Sequence, residues 1–330
     1  MRFDLNDEQR AVRDAIDDLC AARWSPKAAR SYGDGDGDDS ALWGELSAAG
    51  WTGAAVAEEF GGQGLGTVEL ALICEGLGRA LAPSTFFGNA AAAMLLAAAG
   101  DDAQRKRWLP GMATGKARGA IGMLTADGTA LVFDGSGAEV LVLVGAGRAA
   151  LAAADACVLE PVEGIDLTRR LFHVSAGATE ELSGDVGPGV DRAEVLLGAE
   201  LVGVANRAMD LAVEHARTRQ QFGRPIGAYQ AVSHRCADML LEVESARSAV
   251  LCAAWTADHN PTGLPFAASV SKVTAAQGAW GVTTSALQVH GGIGFTWEHD
   301  CHLLMRRAMA SGHTLGSVDS HLDRVTSQRI

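Results

Sequence analysis

The chain has 330 residues, 27 Lys and Arg against 40 Asp and Glu, a net charge of −13, and 48% hydrophobic but only 5% aromatic residues. That apolar share suits a globular core rather than a disordered chain. The acidity excludes a general binder of nucleic acid or of an anionic membrane, since both need a basic face.

Residues 5–23 read as a first helix, with Asn6 as its cap and acidic residues in the first turn. The stretch Met1-Arg2-Phe3-Asp4-Leu5 has no basic run leading into an apolar one, so no signal peptide is expected and the expected location is cytoplasmic. An acidic loop at 33–39 separates this helix from a second, which Ser40 would cap and which runs through Trp43 and Leu46 to Gly50. A glycine-rich loop at 58–66 follows, then helices at about 67–79, 86–99 and 101–113. The longest apolar run, 90–99, is half of the roughly 20 residues that span a bilayer, so it reads as a buried helix. Long alanine runs of this kind point to closely packed helices, because alanine has the best helix propensity.

Between 116 and 190 short apolar segments, 120–124, 140–144 and 157–159, alternate with Gly, Asp and Pro, which are strand and turn signals. From 191 long helices return. Leu197, Leu201, Val204, Ala208, Leu211 and His215 recur at spacings of four and three, one stripe on one helix face. Further helices are expected at about 231–257, 266–289 and 298–312. The fold class is mainly α with a small β domain: N-terminal helices at 1–115, a middle β domain at 116–190 and a C-terminal helical bundle at 191–330. Six scattered cysteines without a C-x-x-C pair fit reduced thiols inside a cell.

Several motifs mimic sites. Gly145-Ala146-Gly147-Arg148-Ala149-Ala150 follows an apolar strand in the manner of a dinucleotide-binding turn. Only nine residues separate Gly147 from the strand at Cys157, too few for the crossover helix, so a strand-to-strand turn is expected. Asp34, Asp36 and Asp38 have calcium-loop spacing, but Asp39 stands where glycine is required. His299 and His302 would share a helix face near Cys301, yet no other Cys/His pair completes four ligands, so no metal site is expected. No G-x-S-x-G or H-E-x-x-H segment occurs, which leaves hydrolase chemistry without support.

The segment 217–227 differs in kind. Arg217, Arg219 and Arg224 surround Phe222 and Gly223 at a helix end, a set able to pair with a pyrophosphate and pack on a planar ligand; a basic helix C-cap is the plain alternative. A second glycine cluster, Gln288-Val289-His290-Gly291-Gly292-Ile293-Gly294-Phe295, frees backbone amides for a phosphate.

Together these segments resemble the acyl-CoA dehydrogenase family. Its R-x-Q-F-G and following glutamine are matched by Arg219, Gln221, Phe222, Gly223 and Gln230. Its Q-x-x-G-G-x-G-F-T-x-E is matched by Gln288, Gly291, Gly292, Gly294, Phe295, Thr296 and Glu298. Leu5-Asn6-Asp7-Glu8-Gln9, Gly50-Trp51, Glu58-Glu59-Phe60-Gly61-Gly62 and Arg107-Trp108-Leu109-Pro110 also look like the family. The resemblance implies an acyl-CoA dehydrogenase-like fold of N-terminal helices, middle β domain and C-terminal four-helix bundle. It also implies FAD and α,β-desaturation of an acyl-CoA. In it, Arg219, Phe222, Gln230, Gln288, Gly291 and Gly292 would hold the ADP half of an FAD bound mainly by a neighbouring subunit.

Two places depart from the family. Its T-E-P-x-A-G-S-D loop against the flavin ring is reduced to Leu124-Thr125-Ala126-Asp127-Gly128-Thr129-Ala130, and its usual glutamate base falls on Leu315. An alternative base position on the first bundle helix falls on Ala193, with Glu194 adjacent and Glu200 two turns on; a helix-start charge and a paired polar residue are the plain readings of these two. The chain is also short for the family and resembles the smaller subunits of actinobacterial heteromeric members that act on steroid-derived CoA thioesters. The expected role is therefore a partner subunit in a heterotetramer with two copies of each chain, without nucleic acid or membrane. A self-sufficient FAD homo-oligomer using Glu194 or Glu200, and a scaffold that binds no flavin, are the alternatives.

Overall fold

The structure is a computed structural model that describes residues 4–328, so residues 1–3 of the N-terminal reading and 329–330 lie outside it. Helix α1 (Asp7–Arg23) starts with a reciprocal cap: Asn6 accepts from the Gln9 backbone N–H while Gln9 accepts from that of Asn6. Helix α2 (Pro26–Gly33) has no counterpart in the sequence reading, although Ser25 caps it and Pro26 opens it. Helix α3 (Ser40–Ala48) begins at Ser40 rather than being capped by it; Asp39 holds the cap position and Asp38 accepts from the Ser40 N–H. Helices α4 (Thr67–Arg79), α5 (Thr85–Ala99) and α6 (Asp102–Ala113) lie where the patterning places them.

Seven strands form one sheet: β1 (Gly119–Leu124), β2 (Ala130–Phe133), β3 (Val140–Gly145), β4 (Arg148–Ala153), β5 (Cys157–Val162), β6 (Leu171–Ala176) and β7 (Glu180–Glu181), in the order β5-β6-β2-β1-β3-β4-β7. All neighbours are antiparallel except β1 and β3, where Gly119 faces Val140. Strands β3 and β4 form a hairpin with Gly145 opposite Arg148. Its two turn residues, Ala146 at φ 51° and Gly147 at φ 74°, have the left-handed backbone of a two-residue hairpin. The glycine motif is thus a turn between antiparallel strands.

The bundle comprises α7 (Gly187–Thr218), α8 (Gln230–His259), α9 (Leu264–His290) and α10 (Cys301–His313), followed by the short α11 (Val318–Ser327), which the sequence reading lacks. Because α10 starts at Cys301, His299 precedes the helix and does not share a helix face with His302. On α7 the predicted stripe is buried at Leu197, Leu201, Val204 and Ala208, but every residue from 193 to 205 is buried. The reason is a second layer: α4 and α5 cover the side of α7 that a bundle alone would leave to solvent. The α4–α7 crossing depends on two glycines. A Cβ on Gly203 would lie 1.9 Å from the Glu75 carbonyl oxygen, and one on Gly78 would lie 2.3 Å from that of Glu200.

Buried charge joins the layers. Arg307 of α10, fully buried, donates to Asp166, to Thr168 Oγ1 at 2.6 Å and to the Ala82 carbonyl at 2.8 Å. Asp134 at the end of β2 accepts from Tyr32 Oη at 2.9 Å and from the Ser84 N–H at 2.6 Å. Sheet, N-terminal helices and bundle therefore share hydrogen-bonded contacts whose loss would strand charges away from water.

Candidate functional site

After α7 the chain folds back as a two-stranded ribbon, β8 (Gln220–Gln221) paired with β9 (Arg224–Pro225), before α8 begins at Gln230. Its tip is Phe222 at φ 52° and Gly223 at φ 79°. Glycine adopts that backbone freely, whereas a bulky residue there is strained. Phe222 is also 93% exposed, with an edge-on ring contact to Tyr229 at 6.5 Å. Around it Arg217, Arg219 and Arg224 are exposed. Among the described residues none of the three pairs with a carboxylate, although Arg224 stacks on Tyr229 at 4.1 Å.

The second cluster lies at the same end of the bundle. His215, in the last turn of α7, stacks on His290, the final residue of α9, with ring centroids 4.6 Å apart. Gly291 leaves the helix at φ 65°, ψ −142°, a region effectively reserved for glycine. A Cβ on Gly291 or Gly292 would meet nothing within 4 Å, so an incoming group has room at both. Gln288 and Gln230 are exposed nearby on their helices. The six positions expected to touch a dinucleotide are therefore all at one end of the bundle. The cations, the glycine turn and an apolar plate suit the ADP half of a flavin dinucleotide.

The places expected to hold the flavin ring and the base are different. Between β1 and β2 the chain makes a tight turn, with the Thr125 N–H bonded to the Thr129 carbonyl at 2.8 Å. Asp127 is consumed within it, accepting from Thr125 and Thr129 hydroxyls, and these bonds hold its carboxyl below the usual range. Leu315 stands in the turn between α10 and α11 at φ 58°, packed on the core and without proton chemistry.

Glu194 lies two turns inside α7, not at its start, and is 3% exposed. It accepts from Arg324 at 3.1 Å, and His321 Nδ1 is 3.9 Å away. Burial, reinforced by Asp191 and opposed by Arg324 and Lys272, holds its carboxyl up to about 7. His321 Nε2 in turn bonds the Leu315 carbonyl at 3.2 Å, so one imidazole separates Glu194 from the place of the usual base. Glu200 has both oxygens engaged, one by Arg169 and the other by Ser311 Oγ at 2.7 Å. Lys272, fully buried, donates to the Gly312 carbonyl at 2.8 Å, and burial lowers it to about 8. His321 and Lys272 carry no motif, so only the fold places them beside Glu194. Among the described residues no helix is long and apolar enough to cross a membrane.

Comparison with known proteins bears on the family and the fold. The family description "Acyl-CoA dehydrogenase, N-terminal domain" matches residues 6–116, and "Acyl-CoA dehydrogenase, C-terminal domain" matches residues 190–329. The chain is 37% identical over 326 residues to acyl-CoA dehydrogenase IpdE2 of Mycobacterium tuberculosis, covering 98% of this chain and 97% of that one. A solved structure of a variant of the Tcur3481–Tcur3483 steroid ACAD superposes with a TM-score of 0.88 at 26% identity, covering 97% of each chain. The ChsE4–ChsE5 complex from Mycobacterium tuberculosis shares the fold at a TM-score of 0.87 and 23% identity, covering 100% of this chain and 99% of that one.

Proposed function

The chain belongs to the acyl-CoA dehydrogenase family, with FAD as cofactor and an acyl-CoA as substrate, and we propose that within it this chain is a partner subunit of a heteromeric enzyme. Its share of the work is the ADP end of an FAD whose ring pocket and catalytic base belong to the other chain, in a complex with two copies of each. When bound, FAD supplies the hydride acceptor for desaturation between the α and β carbons.

The observation that carries this reading is the contrast between the two ends of the site. At the ribbon, Arg219 and its neighbours stand as unpaired cations beside a strained, 93% exposed Phe222. A monomer gains nothing from that arrangement, whereas a dinucleotide and its second subunit would cover it. Arg219 and the amides at Gly291 and Gly292 would bind the pyrophosphate, Phe222 would pack on the adenosine side, and Gln230 and Gln288 would orient it. At the inner end Leu315 can neither accept a proton nor orient a thioester. Exposed apolar side chains elsewhere on the bundle, Leu241 at 68% and Trp280 at 45%, also fit a chain built to be covered. The steroid class of thioester is proposed from the likeness to the steroid ACAD.

One observation favours a second reading. A carboxyl held up to about 7 suits a general base, and Glu194 lies one imidazole from Leu315; a homo-oligomer using Glu194 would need no partner base. The test is Arg219→Ala in the purified two-chain complex, read as FAD affinity by flavin fluorescence. Loss of a charge-assisted phosphate contact should weaken binding by about tenfold or more. Unchanged affinity would favour a scaffold that touches no flavin.

A further inference from the structure

The helix end that carries the glycine turn holds a second constellation. His290 closes α9, Cys301 opens α10, and His299 sits between them after the turn at Gly291–Phe295. Their candidate donor atoms all lie within 4.8 Å of one another. Cys301 Sγ is 3.4 Å from His290 Nδ1 and 4.0 Å from Nε2, and the rings of His290 and His299 are 4.2 Å apart. His290 and Cys301 are buried and His299 is half-buried, so the cluster is walled on one side and reachable on the other.

Two features suit a metal ion better than chance contact. His290 Nδ1 bonds the Ala286 carbonyl at 2.8 Å, which fixes that nitrogen as the N–H and leaves the Nε2 lone pair free. A backbone carbonyl on the far ring nitrogen is the usual support of a metal-ligating histidine. Second, the separations are close to those that a small ion imposes: bonds of about 2.0 Å to imidazole and about 2.3 Å to sulfur put neighbouring donors about 3.5 Å apart, and Cys301 Sγ stands 4.0 Å from the His290 Nε2 that would ligate, so binding draws the two slightly together. His299 at present accepts the Cys301 N–H at 3.2 Å, a long contact that ligation would give up. The contacts of Cys301 with His290 and with His299 already hold the three groups together without an ion.

We propose that His290, His299 and Cys301 form a binding site for a borderline-soft divalent ion, zinc by its donor set, with the fourth position open to solvent. On binding, the Cys301 S–H proton leaves to solvent, a sulfur–metal bond forms and no electron is transferred. The ion would clamp the 291–300 segment at both ends and so stiffen the turn that carries Gly291 and Gly292. The site itself needs no flavin and does not depend on the subunit reading.

Cobalt titration of the chelator-stripped full-length chain tests it. One equivalent of Co2+ should raise a thiolate-to-metal charge-transfer band in the near ultraviolet, and one equivalent of Zn2+ should abolish that band. Cys301→Ser should lose the band, and His299→Asn, at the half-buried position and so less disturbing to packing, should weaken cobalt binding about tenfold or more. Folded wild-type chain without the band, or an undiminished band in Cys301→Ser, would overturn the site. Because the band reports the metal alone, an empty flavin site and an empty metal site give separate readouts.

Discussion

Glu194 and His321 face each other on α7 and α11 with opposite perturbations. Burial holds the Glu194 carboxyl up to about 7, and burial with the nearby Lys272 charge pushes His321 down to about 4. Between pH 4.5 and 7 the folded Glu194 keeps a proton that the unfolded chain has released, so its contribution to stability falls as pH rises. Between pH 4 and 6.5 the unfolded chain binds a proton that folded His321 lacks, so that contribution rises with pH. The two oppose each other where the windows overlap. Glu194→Gln removes the falling component, and its urea midpoint should climb from pH 4.5 to 6.5 more steeply than that of the unaltered chain. Parallel profiles for the two proteins would show that Glu194 ionises normally. The same pairing bears on catalysis: a base at Glu194 would have to leave Arg324, 3.1 Å away, before it met a substrate.

At the scale of elements, the α4–α7 crossing is set by backbone contact through Gly78 and Gly203. Gly203→Ala should therefore destabilise beyond the usual 1–3 kcal/mol or so of overpacking, because its Cβ meets backbone rather than a movable side chain. Chemical denaturation measures this, and a loss below about 0.5 kcal/mol would mean that the crossing simply slides apart. Long helices were legible in the sequence where a cap or an apolar stripe marked them, the Asn6 cap at α1 and the stripe from Leu197 on α7. Helix α2 was not: its Ser25-Pro26 start was present, but eight residues are too few for a periodicity to show. Strands β2, β4 and β6 hid for a related reason: at four to six residues they are short, and β4 is mostly alanine, so little in their sequence marks them. The β3–β4 turn was legible because spacing decides it. The histidine cluster was not, since His290 lies across a turn from His299 and Cys301, and a motif scan along one helix pairs His299 with His302 instead. Leu315 and the residues proposed to contact FAD were picked out by the family resemblance, through their offsets from its motifs.

For the whole molecule, the sign and the length of the chain take on specific meanings. In a protein of net charge −13, three arginines at one bundle end have no carboxylate partner among the described residues, and on the proposed reading they serve an anion. On the proposed reading, a chain with that end intact, with a short turn at Thr125–Thr129 and with Leu315 at the position of the family's base, works with a second chain for the reaction. The most direct measurement is the flavin absorbance of this chain purified alone and purified together with its partner subunit, followed by addition of acyl-CoA. The chain alone should be colourless and inactive, and the complex should be yellow and bleach with substrate. A yellow protein from this chain alone that bleaches with an acyl-CoA would contradict the account and place the base within it.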